Sequence, residues 1–125
     1  VGVTAEIVTT QSFTLTVPVE VIKTNVYQED INEPAGTIYE IPITIVQEGT
    51  YEFETSLYTE NCDTIITIDD VNGNQVAEND DSETNAPYSL ITMSLTAGDY
   101  TIKIQEQSQL ELNTHFDIYS VEPIY

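Results

Sequence analysis

The chain has 125 residues, one domain's worth, and 40% of them are hydrophobic, enough to bury a core and to exclude global disorder. Twenty-two Asp and Glu residues against two Lys and Arg give a formal charge of -20, which repels phosphate backbones and anionic lipid and so excludes nucleic-acid and membrane-surface partners. No apolar run approaches the ~20 residues that span a bilayer, so membrane insertion is excluded too.

The dominant period along the chain is two. Ser12 to Ile22 places Phe13, Leu15, Val17, Val19 and Val21 on one face and Pro18 on the other, which reads as an edge strand. Asn25 to Gly36 carries turn formers and acids and reads as a loop. Next, Tyr39, Ile41, Ile43 and Ile45 alternate, Gln47-Glu48-Gly49 turns, and Tyr51, Phe53, Thr55 and Leu57 alternate against Glu52 and Glu54. Cys62 to Asp70 is a further strand, and Val71-Asn72-Gly73-Asn74 is a hairpin turn into the next one. Asn79 to Pro87 reads as polar loop. Strands resume at Tyr88 to Leu95, turn at Ala97-Gly98-Asp99, continue from Asp99 to Glu106, and close with Thr114 to Val121. The expectation is an all-β antiparallel sandwich of eight or nine short strands. It forms one domain over 1–125, with 37–125 as its core and 1–36 as a linker or an added strand.

The acids are unevenly placed. Glu48, Glu52, Glu54, Glu60, Asp63, Asp69, Asp70, Glu78, Asp80, Asp81 and Glu83 fall in one stretch that holds no Lys or Arg. Ion pairs within the stretch cannot neutralise it, so these carboxylates either spread over solvated faces or converge on a cation. Ca²⁺ takes six to eight oxygens from carboxylates, amides, carbonyls and water. Asn79, Asp80 and Asp81 supply several such oxygens from one loop, and Asp63 supplies another from a second loop. Asp69 and Asp70 form a further candidate pair beside Gly73. A second-rank group is Glu29, Asp30, Asn32 and Glu33. Acids adjacent in a loop are more often solvated, and no EF-hand spacing is present.

Catalytic chemistry finds little support. One Cys excludes an internal disulfide and a CxxC site, and one His excludes a His-based metal cluster. Cys62 precedes Asp63, which disfavours a thiolate, and His115 sits in a strand beside Phe116. No nucleophile elbow or phosphate loop occurs, and no Trp is present to stack a sugar. Among eight Tyr residues, Tyr39, Tyr51 and Tyr100 are in phase with apolar neighbours and read as core. Tyr27, Tyr58, Tyr88, Tyr119 and Tyr125 read as exposed. Of these, Tyr58, Tyr88 and Tyr119 are candidate ligand-binding residues, because exposed Tyr offers rigid amphipathic contact area.

Cys62 to Ile68, Asn72-Gly73-Asn74, Asn79 to Ser82 and Leu95 to Ile102 together follow a known order. An aspartate enters a strand, a glycine turn and an acidic loop follow, then L-x-A-G-x-Y-x-I. The pattern resembles the bacterial pre-peptidase C-terminal domain family, over about Ile38 to Val121. Thr37-Ile38-Tyr39 stands where the family carries Asp-Trp-Tyr, so the family's substrate roles do not transfer. The resemblance implies a jelly-roll-like sandwich without catalysis of its own, carried by secreted peptidases and surface proteins. Related domains of collagenases bind collagen and are stabilised by calcium, partly through an acidic segment before the sandwich. Asp63, Asp80 and Asp81 are the positions matched best, and Glu29, Asp30, Asn32 and Glu33 occupy a comparable preceding place. The chain, opening at Val1 with no basic or apolar leader pattern, reads as a mature product or a piece of a longer protein. The expected function is that of a calcium-stabilised, monomeric, extracellular accessory or adhesion domain. Its partners are extracellular protein or polysaccharide, engaged through the parent protein. A glycan- or protein-recognition module with calcium optional, and a structural spacer, are the alternatives.

Overall fold

Alternation in the sequence becomes two inward-facing apolar surfaces in the structure. The computed structural model describes residues 21–81 and 86–123. Among them are eight strands and no helix: β1 (Val21–Glu33), β2 (Tyr39–Ile45), β3 (Gly49–Ser56), β4 (Thr64–Asp69), β5 (Gln75–Asn79), β6 (Leu90–Leu95), β7 (Gly98–Glu106) and β8 (Leu112–Pro123). They form two four-stranded antiparallel sheets, β1-β8-β3-β6 and β2-β7-β4-β5. Phe53 and Phe116 from one sheet meet Ile66, Ile68, Ile102 and Ile104 from the other, and all six are fully buried. The expected all-β sandwich is the observed architecture.

Local chemistry explains several details. Pro42 lacks an N–H and lies in β2, an edge strand where no ladder partner needs one. Gly73 has φ +83, as the β4–β5 hairpin turn requires, and Asp70 holds that turn together. Its carboxylate Oδ1 accepts the N–H groups of Asn72 and Asn74, each at 2.9 Å.

β1 corrects the loop expected over Asn25 to Gly36. Its register runs from Val21 against Pro123 to Glu33 against Leu112, with one shift between Asn25 and Tyr27. The strand's inner face carries Tyr27, Glu29 and Ile31, and its outer face the polar residues that resemble loop composition. β8 supplies a long partner, and that pairing overrides the turn propensity of Asn, Asp and Glu. Tyr27, expected exposed, packs edge-on to Phe116 with ring centroids 6.2 Å apart. Its hydroxyl and that of Tyr39 both donate to the carboxylate of Glu29, which ties the edges of the two sheets together. Burial, then its bond to Glu29, raises Tyr27 to about 12, and a separate bond to Glu29, then burial, raises Tyr39 to about 12. Leu57, expected in phase with the core, lies beyond the end of β3 and is exposed. The alternation read at Ser12 to Ile22 falls mostly outside the described residues, which take in only Val21 and Ile22 of it, within β1.

His115 fastens β1 to β8. Its Nδ1 lies 2.5 Å from Asp30 Oδ1 and its Nε2 lies 3.1 Å from Asp117 Oδ2. The hydrogen bond to Asp30 raises the imidazole above its ordinary value, aided by the charge of Asp117 against an opposing desolvation. A raised cationic group stabilises the fold fully below its unfolded pKa, about 6.5, and loses that contribution as pH rises through the folded value. Denaturation at low salt should therefore show about 0.5–1 kcal/mol lost above that window, since Asp30 is half exposed and screened. The loss should vanish in His115→Gln.

Candidate metal centre

Topology brings two separate acidic positions to one end of the second sheet. Asp63 stands immediately before β4, and Asp80 and Asp81 stand immediately after β5. β4 and β5 are antiparallel neighbours, with Ile66 opposite Asn79, so the start of one meets the finish of the other. One carboxylate oxygen from each of Asp63, Asp80 and Asp81 lies within 4.8 Å of the others. Two oxygens on opposite sides of a Ca²⁺ at 2.3–2.6 Å stand about 5 Å apart, so the spacing suits one shared cation.

The cluster carries unsatisfied charge. Asp63 Oδ1 and Asp80 Oδ1 are both buried, with no hydrogen-bond partner among the described residues. Burial, then the charges of Asp81, Asp80 and Glu106, push Asp63 above the usual carboxylate range. Burial, then Asp81 and Glu78, push Asp80 in the same direction. A divalent cation reverses this penalty, because it turns mutual repulsion into shared attraction.

The surrounding scaffold fixes the backbone more than the carboxylates. The carbonyl of Asp63 accepts the N–H of Gln107 at 2.8 Å. Ser89 Oγ lies 2.8 Å from the Asp80 carbonyl and 2.7 Å from the Thr64 carbonyl, and so ties both loops to one hydroxyl. Ser89 N–H in turn donates to Thr55 Oγ1, which is 2.6 Å from Thr64 Oγ1. Nearby, the buried carboxylate of Glu106 accepts the N–H groups of Ser108 and Leu110 at 2.7 and 2.8 Å.

No protein-family model matches the sequence, and no curated protein matches it. Among solved structures, the chain is similar to the pre-peptidase C-terminal domain of collagenase from Bacillus anthracis. The TM-score is 0.52 at 9% identity, over 83% of this chain and 89% of that one. The fold is the one seen in that pre-peptidase C-terminal domain. Similarity also extends to a carbohydrate-binding module of Cellvibrio mixtus lichenase 5A, solved with cellotriose (TM-score 0.39, 14% identity, 86% of this chain and 98% of that one). The C-terminal carbohydrate-binding module of a Zobellia galactanivorans laminarinase gives 0.37 at 13% identity, over 82% and 99%.

Within this pre-peptidase C-terminal fold, the residues singled out in the sequence meet different fates. Asp63, Asp80 and Asp81 are brought together. Asn79 stays adjacent, and its Oδ1 accepts the Leu90 N–H at 3.0 Å. Asp69 and Asp70 are not joined to the cluster. Asp69 pairs with Lys103 at 2.9 Å, and Asp70 is occupied by its own turn. Glu29, Asp30, Asn32 and Glu33 lie along β1, where Glu29 and Asp30 serve the Tyr and His contacts described above. Of the tyrosines, Tyr58 is exposed, while Tyr88 is buried and corrects its expected exposure. Tyr88 follows the loop and turns inward beside Cys62, with its Oη also lacking a partner among the described residues. Tyr119 is half-buried beneath Lys23, whose Nζ is 5.3 Å from the ring centroid. Sequence reasoning missed Ser89, and the one available signal was a small hydroxyl residue at the start of a strand.

Proposed function

We propose that the chain is a non-catalytic accessory or adhesion module of a larger secreted or cell-surface protein, with its loop end stabilised by Ca²⁺. The observation that carries this reading is the meeting of Asp63, Asp80 and Asp81 from two loops, with two buried carboxylate oxygens lacking partners among the described residues. Three carboxylates leave room for carbonyl and water oxygens, which a hard cation needs to reach six to eight ligands. Bound calcium would crosslink the approach to β4 and the exit from β5, and so hold that end of the sandwich rigid. The absence of catalysis is supported by two groups. Both ring nitrogens of His115 are engaged by carboxylates, which leaves neither to take a proton from a nucleophile. Burial pushes the Cys62 thiol up, away from a reactive thiolate.

Thermal unfolding in EDTA, in about 1 mM Ca²⁺ and in equal Mg²⁺ tests the reading. At one hundred times Kd, a ligand specific to the native state adds about 2.7 kcal/mol, so Tm should rise by roughly 10 °C with calcium alone. Asp80→Asn should abolish that rise and leave the EDTA value equal or higher, because it removes one of three mutually repelling charges. Equal small rises with both ions would mean simple screening and would sink the proposal.

A further inference from the structure

At the opposite end from the aspartates the two sheets part. A cleft of about 590 Å³ opens there beside the turn between β2 and β3. Its floor is apolar: Tyr27, Ile43, Tyr51 and Ile118, all packed on the core. Val26, at the register shift of β1, and Val46, in the turn, form its walls at 55% and 86% exposure. Glu48 and Glu122 stand exposed on the rim, and neither is in an ion pair among the described residues.

We infer that this cleft is a docking site for an extended peptide of a partner protein that carries aliphatic side chains alternating with basic ones. The charge complement has to come from outside the chain. The sequence holds two Lys and Arg residues in all, Lys23 and Lys103, and both are committed, to Glu52 and to Asp69. The chain's own residues 1–20 include no Lys or Arg, so they do not supply the missing cation. An extended peptide also suits the open backbone of β2. This strand is the edge of its sheet and lines the cleft from Pro42 to Ile45, so main-chain bonds can form where Pro42 does not interrupt. Alternation then places aliphatic side chains on the apolar floor and basic ones toward the rim. The inference is independent of calcium, because the two sites lie at opposite ends of β7. Ile45 beside the cleft is opposite Gly98, and Thr64 beside the aspartates is opposite Glu106.

Fluorescence anisotropy of the full chain with three labelled octapeptides tests it: Lys-Val, Lys-Ser and Glu-Val repeats at about 0.15 M salt. The Lys-Val peptide should bind at least tenfold more tightly than the other two. Val46→Ser, a change at a solvent-exposed turn, should weaken it about tenfold, and Glu48→Gln/Glu122→Gln should do likewise. The charge-matched pair Glu60→Gln/Glu111→Gln, exposed elsewhere, should leave it unchanged. Equal binding of Lys-Ser, or equal loss in the distant pair, would reduce the effect to general attraction by an acidic protein and overturn the inference. Tighter binding to Phe13→Ser would also overturn it, by showing that the chain's own N-terminal residues compete for the cleft.

Discussion

Phe53→Ala should cost about 3–5 kcal/mol of unfolding free energy, the largest loss expected from a single change in this fold. Phe53 is fully buried in β3, opposite Ile91 of β6 and Ile118 of β8, so it fills the centre of the first sheet's inner face. Removing the ring deletes its transfer contribution and leaves a cavity that two sheets pinned by neighbouring strands close only in part. A domain of this size is commonly stable by 5–15 kcal/mol, so the loss takes a large fraction of the whole. Urea titration followed by circular dichroism would measure it as a lower midpoint. Val46→Ala, at an exposed position, should change the midpoint little and provides the control. A loss below about 1 kcal/mol for Phe53→Ala would show that the site collapses freely, contrary to a closely packed core.

Ser89→Ala is expected to act on stability and on the proposed metal centre together. Ser89 is fully buried, and its single hydroxyl serves the carbonyls of Thr64 and Asp80 while standing 3.1 Å from Thr64 Oγ1. Alanine fits the space but removes the single proton that the two carbonyls share, the Thr64 carbonyl being buried, at about 1–3 kcal/mol. The change also releases the Asp80 carbonyl, so the aspartates lose the tether that fixes their approach. Urea midpoints should fall both in EDTA and in Ca²⁺, and the gap between the two conditions should narrow as calcium affinity weakens. An unchanged gap beside a lowered midpoint would show that Ser89 supports the core alone.

Much of this was written in local pattern. Alternation along Tyr39–Ile45, Thr64–Asp69 and Gly98–Glu106 named the inward residues, since a half-buried strand demands period two. Gly73 marked its hairpin because the turn there adopts a positive φ that glycine tolerates. The grouping of Asp63 with Asp80 and Asp81 was also legible, as acids flanking two strands that a short turn makes neighbours. β1 was not legible. Its polar outer residues imitate a loop, and only the length of β8 makes a strand of them. Nor could composition separate Asp69, neutralised by Lys103 from a strand remote along the chain, from the oxygens of Asp63 and Asp80 that lack partners among the described residues. Tyr88 and Tyr119 show the same limit, for burial depends on what the fold lays over a ring. By itself the sequence determined the strand periodicity, the turns and the acidic excess, all of which depend on near neighbours. Tertiary structure decided which acids repel one another, which one meets a lysine, and where the described residues leave a cleft, because those depend on distances between segments remote along the chain.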